Sequence, residues 1–182
     1  MRALPGLRKN IVEPELLTLP HNKAKLDAAV KRAKGIVMKR AAFASAASLV
    51  PIPGLDIAVD ITAVMQMIPE INHAFGLTPE QISRLSGAKQ LIIYKSIVAV
   101  GSVMIGKLVT RDIAIEILKT VGVRVSTKQI TKYVPVAGQA LSVALGFAAM
   151  KYVGNQHVKD CQRVIEATFK TSDQEAPGRL CA

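Results

Sequence analysis

Apolar residues recur along the chain at intervals of three and four positions, whereas runs of β-branched residues are short. This period is typical of amphipathic α-helices and not of strands. A first helix is predicted from about Asn22, a good N-cap, to Leu49, because Pro51 and Pro53 follow and end it. The pattern therefore predicts an all-α fold, a single helical-bundle domain of about six to eight helices.

Capping residues indicate where the other helices begin. A second helix should run from about Leu55 to Ala74. The segment 78–81, Thr-Pro-Glu-Gln, has the form of a capping box with proline at the first helical position, which predicts a new helix. Thr110 and Ser126 are the predicted starts of two later helices.

Two short segments of the chain are similar to each other. Residues 50–54 read VPIPG and residues 134–138 read VPVAG, and a long apolar segment rich in small residues follows each. Because proline ends a helix and glycine frees the turn after it, each segment predicts the elbow of a helical hairpin. The elbow residues are Pro51, Pro53, Gly54, Pro135 and Gly138, and the two hairpins should form the apolar centre.

Length and composition place these helices in one domain. The 182 residues are enough to bury a core without metal or disulfide bonds. Half of the residues are hydrophobic, mean hydropathy is +0.30, and the formal charge is nevertheless +11. We expect an irregular segment over residues 1–21, the helical domain over 22–170 and a flexible tail over 171–182.

The excess of positive charge limits the classes of partner. Aromatic residues make up 4% of the chain, too few for a surface on which the bases of single-stranded nucleic acid stack. No zinc-finger spacing is present either. These features weigh against nucleic acid and favour an anionic membrane surface or an acidic protein. Seven basic residues and one acid lie between Lys23 and Arg40, so one helix carries much of the excess.

Three apolar stretches approach the composition of a membrane span. They cover residues 41–69, 91–109 and 134–153, and each contains charged residues, prolines or both. A spanning helix needs roughly 20 almost uncharged residues, so we interpret these stretches as buried helices or as helices that only dip into a bilayer. The N-terminus lacks the apolar run of a signal peptide, and we expect a cytoplasmic protein.

The segment Gly101–Leu108 nearly matches the phosphate-binding loop G-x-x-x-x-G-K-[ST]. Leu108 occupies the position of the Ser or Thr whose hydroxyl ligates magnesium in such a loop. The segment also lies in an apolar pattern that predicts a continuous helix. We therefore interpret Gly101 and Gly106 as helix-packing positions. No catalytic or cofactor-binding residue is predicted.

Other polar pairs have structural interpretations. Glu70 and His73 have the spacing of half a di-iron site, but the chain lacks the second half, so no metal site is predicted. Asp56 and Asp60 are one turn apart near a helix start, where they complement the helix dipole and can pair with the preceding basic helix. Neither cysteine has the partners of a nucleophile, and we expect no enzymatic activity.

Several segments together resemble a known family. They are LPGLRKN, LLTLP, SLVPIPGLDIAVDI, INHAFGLTPEQISRLSG, KYVPVAGQALSVALGFAAMKYV and DCQRVIEATF. In order and spacing, from about Leu4 to Phe169, they resemble the C-terminal helical region of the immunity-related, interferon-inducible GTPases. The resemblance implies a helical domain that packs beside a GTPase domain and helps to attach it to intracellular membranes. The GTPase motifs are missing from this chain, so no catalytic residue is carried over.

The resemblance also implies a membrane-contact helix. In the family an amphipathic helix late in this region attaches the protein to membranes, and by order it corresponds to residues 110–133. Its basic residues in this chain are Arg111, Lys119, Arg124, Lys128 and Lys132. A basic amphipathic helix fits an anionic bilayer surface, although packing in the core is an equal alternative.

The expected function is therefore non-catalytic. We expect peripheral association with intracellular membranes, through anionic lipid, and homo- or hetero-oligomeric pairing with GTPase-bearing relatives in innate immunity. Two alternatives remain open. The small-residue hairpins could insert into lipid or form a pore, or the chain could be a fragment of a GTP-hydrolysing protein whose GTPase domain lies upstream.

Overall fold

The computed structural model describes residues 19–47, 55–129 and 138–174, with side chains over 19–46, 58–121 and 143–170. Within these ranges the chain forms helices and no strand, which confirms the all-α prediction. Five of the described helices are long and one is a single short turn. They are α1 (Lys23–Ala47), α2 (Leu55–Phe75), α3 (Pro79–Ser83), α4 (Gly87–Val100), α5 (Arg111–Gln129) and α6 (Gly138–Gln174).

Several helices begin at the polar residues that the sequence indicates. Asn22 Oδ1 accepts a hydrogen bond from the Lys25 backbone N–H at 2.9 Å, at the start of α1. At α3, the Thr78 hydroxyl and the Gln81 side chain each accept from the other residue's backbone N–H, which completes the capping box. Thr110 Oγ1 accepts from the Ile113 N–H at 3.4 Å at the start of α5. These three start predictions are confirmed.

The structure corrects three boundary predictions. Ser126 does not begin a helix, because α5 continues through it to Gln129. The helical pattern over 91–109 is not continuous: Gly101, with φ +72°, ends α4 in the left-handed conformation that favours glycine. The last helix also runs beyond residue 170, to Gln174, so the first residues of the predicted tail are helical.

The core lies where α1, α2 and α6 pack together. Small residues make the contact face of α1, at intervals of three and four positions. They are Ala29, Ala33, Val37, Ala41 and Ala44. From α6, Gly154 meets this face so closely that an added Cβ would lie 2.6 Å from Val37 Cγ2 and 3.0 Å from Met67 Sδ. The absence of a side chain at Gly154 therefore sets how near α6 approaches α1 and α2.

The predicted elbows lie almost entirely outside the described residues. This applies to Pro51, Pro53, Gly54 and Pro135, whereas Gly138 is the first residue of α6. Helices α1 and α2 flank the first gap, and helices α5 and α6 flank the second. The hairpin prediction therefore stays a prediction.

Candidate functional site

A groove runs along the line where α1 and α6 meet. Its volume is about 490 Å³, and its described lining residues are Lys34, Val37, Met38, Lys151, Asn155, Val158, Lys159 and Gln162. Three ammonium groups and two amides thus border an apolar floor, and none of the described lining residues carries a carboxylate. Lysine and amide N–H groups are donors that bind phosphate or carboxylate oxygens. The groove can therefore hold an anionic group.

The charge of the groove continues along α1. Six of the seven basic residues of this helix are exposed, and Asp27 is its one acid. The seventh, Arg40, is half-buried and contacts α2. Its Nε donates to Glu70 Oε2 at 3.3 Å, and its Nη2 donates to Glu70 Oε1. Its Nη1 donates to the side-chain oxygen of Gln66. One cation of α1 is thus used to join two helices, and the others face solvent.

The ion pair with Arg40 gives Glu70 a structural role in place of metal binding. Its carboxylate is held by the guanidinium, while His73, one turn further along α2, is exposed. In the part of the chain that the structure describes, no three His, Cys, Asp or Glu side chains lie close enough to hold a metal ion. Among the acids considered for pairing with α1, Asp60 is half-buried and the side chain of Asp56 lies outside the described residues.

The five basic residues expected at a membrane are described only in part. Arg111 and Lys119 are exposed on α5, among the exposed acids Asp112 and Glu116. The side chains of Arg124 and Lys128, and the whole of Lys132, lie outside the described residues.

Over the part of α5 whose side chains are described, the apolar side of the helix packs in the core. Ala114 and Val121 are buried, and Ile113, Ile117 and Leu118 pack against the core. A lipid contact by this stretch of α5 would therefore depend on its charges alone.

A buried polar cluster joins α2 to α6. His157 Nε2 lies 2.9 Å from Asn72 Oδ1, and Cys161 Sγ lies 3.6 Å from both of these atoms. Asn72 Nδ2 donates to the Met104 carbonyl oxygen at 2.9 Å, so Oδ1 is left to accept and Nε2 is the protonated nitrogen of the His157 ring. The cluster therefore ties two helices to the segment that follows α4.

The chemistry of this cluster is structural. Cysteine, histidine and asparagine together can form a thiol nucleophile, but here all three are buried. Burial raises the pKa of the Cys161 thiol well above its ordinary value and lowers the pKa of His157 to about 3. Both side chains are therefore neutral at pH 7 and closed to substrate.

The cluster was not predicted from the sequence. His157 and Cys161 are four positions apart, which places them on one helical face and is a signal in the sequence. Asn72 lies 85 positions from His157, and no local pattern joins the two. The fold alone brings them together.

The segment after α4 does not have the setting of a phosphate-binding loop. Such a loop follows a strand, whereas residues 101–110 follow helix α4. Gly101 and Gly106 have φ of +72° and +68° and form turns, so our interpretation of them as helix-packing positions is wrong. Ile105 and Val109 are buried and fix this segment to the core.

No protein-family model, no curated protein and no solved structure matches this chain. Within the described ranges, none of the helices is both long and apolar enough to cross a bilayer. The resemblance to the immunity-related GTPases therefore rests on the sequence segments alone.

Proposed function

We propose that this chain is a non-catalytic helical domain that associates peripherally with anionic intracellular membranes. The observation that carries the proposal is the groove between α1 and α6, which Lys34, Lys151 and Lys159 line with no acid among the described lining residues. Phosphate groups of anionic lipids are abundant ligands for such a set of donors, and exposed lysines on α1 extend the attraction. The resemblance to immunity-related GTPases supports the same function and adds pairing with GTPase-bearing relatives.

The proposal includes the finer architecture that the function uses. Two helical hairpins, with elbows at Pro51, Pro53 and Gly54 and at Pro135 and Gly138, would connect α1 to α2 and α5 to α6. Such short connections favour antiparallel neighbours. They would keep α1 beside α2 and α5 beside α6, and the groove itself depends on the packing of α1 against α6.

Flotation with lipid vesicles tests the function. The chain should float with vesicles that contain phosphatidylserine and not with neutral phosphatidylcholine vesicles, because the attraction is between charges. It should dissociate in about 1 M salt, at which the Debye length is only about 3 Å. Resistance to both salt and carbonate would indicate insertion instead, and failure to float at any salt would contradict the proposal and favour a protein partner.

Two charge-matched variants separate the groove from net charge. The first changes Lys34, Lys151 and Lys159 to Gln, and the second changes Lys23, Lys25 and Lys170, which are exposed elsewhere on α1 and α6. Each lowers the formal charge from +11 by three. We expect the first variant to lose more vesicle binding than the second. Equal losses would show that the groove has no special part.

A further inference from the structure

Helix α4 is apolar on two faces, and the core uses only one of them. Ile93, Ser96 and Ile97 are buried on the inner face. On the other face, Leu91, Tyr94 and Val98 are exposed, and Val98 is 80% exposed. Their spacing of three and four positions places them in one line along the helix. An apolar line of this kind on the surface is a feature of sites that contact a membrane or a partner.

The segment after α4 adds two exposed apolar side chains. Val103 and Leu108 are 62% and 75% exposed, although Ile105 between them is buried. The hydrogen bond from Asn72 to the Met104 carbonyl oxygen fixes the backbone between them. The turn is therefore held to the core while it presents Val103 and Leu108 to solvent. We call these five exposed residues, Leu91, Tyr94, Val98, Val103 and Leu108, the α4 surface.

The segment that carries the α4 surface has charges of one sign. No acidic residue occurs between Glu80 and Asp112, a stretch that contains five basic residues. They are Arg84, Lys89, Lys95, Lys107 and Arg111, and all five are exposed. An exposed apolar line whose own segment supplies only cations complements a bilayer with anionic headgroups, because apolar side chains enter the acyl boundary while lysines reach the phosphates. Tyr94 fits the same boundary, since its ring is apolar and its hydroxyl is polar.

We propose that the α4 surface lies on the anionic membrane and inserts its apolar side chains at the boundary between headgroups and acyl chains. This inference rests on the proposed function and adds an apolar lipid contact to the charged contact of the α1–α6 groove. It also differs from the expectation for residues 110–133, because the described apolar residues of α5 pack in the core whereas those of the α4 surface are exposed. Salt does not screen this shallow apolar contact, but it removes the charge attraction that the contact adds to, so dissociation in about 1 M salt is still expected.

The first test uses a tryptophan reporter. The chain contains no Trp, so Tyr94→Trp provides a single emitter on the α4 surface and Phe43→Trp provides one at an exposed position of α1. On addition of phosphatidylserine vesicles, emission from Trp at position 94 should shift to shorter wavelength and be quenched by brominated lipid. Emission at position 43 should stay unchanged. A bound protein whose reporter at position 94 stays in water would overturn the inference.

The second test removes apolar area without changing charge. Leu91→Gln with Val98→Gln should weaken vesicle binding roughly tenfold or more, whereas Phe43→Gln with Tyr152→Gln should not. All four positions are exposed, so both variants should keep their helical circular dichroism and melting temperature. If the intact chain binds vesicles and both variants bind equally, the inference fails and the proposed function stands. If the intact chain does not bind at all, both fail.

Discussion

At the scale of single residues, Gly154 has no room for a side chain where α6 meets α1. The alanine Cβ in Gly154→Ala would lie 2.6 Å from Val37 Cγ2 and 2.8 Å from Val37 Cγ1, inside van der Waals contact. Helix α6 would have to move away from α1, so we expect the free energy of unfolding to fall by about 1–3 kcal/mol. Urea denaturation followed by circular dichroism measures the change.

The same helix supplies the control for Gly154→Ala. Gly146 has no atom within 4 Å of an added Cβ, so Gly146→Ala should leave stability unchanged or raise it by about 0.5–1 kcal/mol, as expected from helix propensity. Val37→Ala combined with Gly154→Ala should cost less than the sum of the two single changes, because the smaller side chain leaves room. Equal effects of the two glycine substitutions would contradict the close approach.

At the scale of elements, the cluster of Asn72, His157 and Cys161 joins α2, α6 and the turn after α4. Because His157 is buried, the stability of the protein should depend on pH. His157 has a pKa of about 3 in the fold against an ordinary value of 6.5, because burial disfavours the charged ring. Between these values the unfolded chain binds one more proton than the folded chain, so acid favours unfolding. From pH 7 to pH 5 this residue should lower the free energy of unfolding by about 2 kcal/mol.

His157→Gln tests this dependence. The Gln amide can donate to Asn72 Oδ1 as His157 Nε2 does, but it does not titrate. The difference between urea unfolding at pH 7 and at pH 5 should therefore shrink by about 2 kcal/mol in the variant. Burial raises the pKa of Asp160, which acts in the opposite direction, but Asp160 is present in both proteins and cancels in the comparison. An unchanged pH dependence would mean that His157 takes up its proton without unfolding.

The elements differ in how far the sequence could predict them. Helix starts at Asn22, Thr78 and Thr110 were predictable because a capping side chain bonds within three residues of itself. The end of α4 at Gly101 was not, because an apolar pattern continues through residues that turn and still pack on the core. The buried cluster was beyond local patterns, since its Asn72 and His157 meet only in the folded chain.

At the scale of the molecule, high hydropathy and a charge of +11 are compatible because they occupy different surfaces. Small residues of α1 and Gly154 let three long helices pack closely, so α1 turns one face to the core and an exposed basic face to solvent. On the α4 surface, in contrast, a line of apolar residues is exposed in a segment whose basic residues are exposed as well. The basic helix α1 was predictable from the sequence, but the exposure of apolar residues along α4 was visible only in the fold.

The position of the GSVMIGKL segment in the fold differs from that of a phosphate-binding loop. This segment follows helix α4, lacks a hydroxyl at Leu108 and is fixed to the core by Ile105. We therefore expect no selective GTP binding in a titration with a fluorescent GTP analogue and magnesium. Weak association through net charge should be equal for ATP and inorganic triphosphate and disappear in salt. Lys107→Ala and Lys95→Ala, two exposed lysines near the same turn, should behave alike. Saturable, magnesium-dependent GTP binding that only Lys107→Ala abolishes would establish a phosphate site at this turn and contradict the expectation of no selective GTP binding.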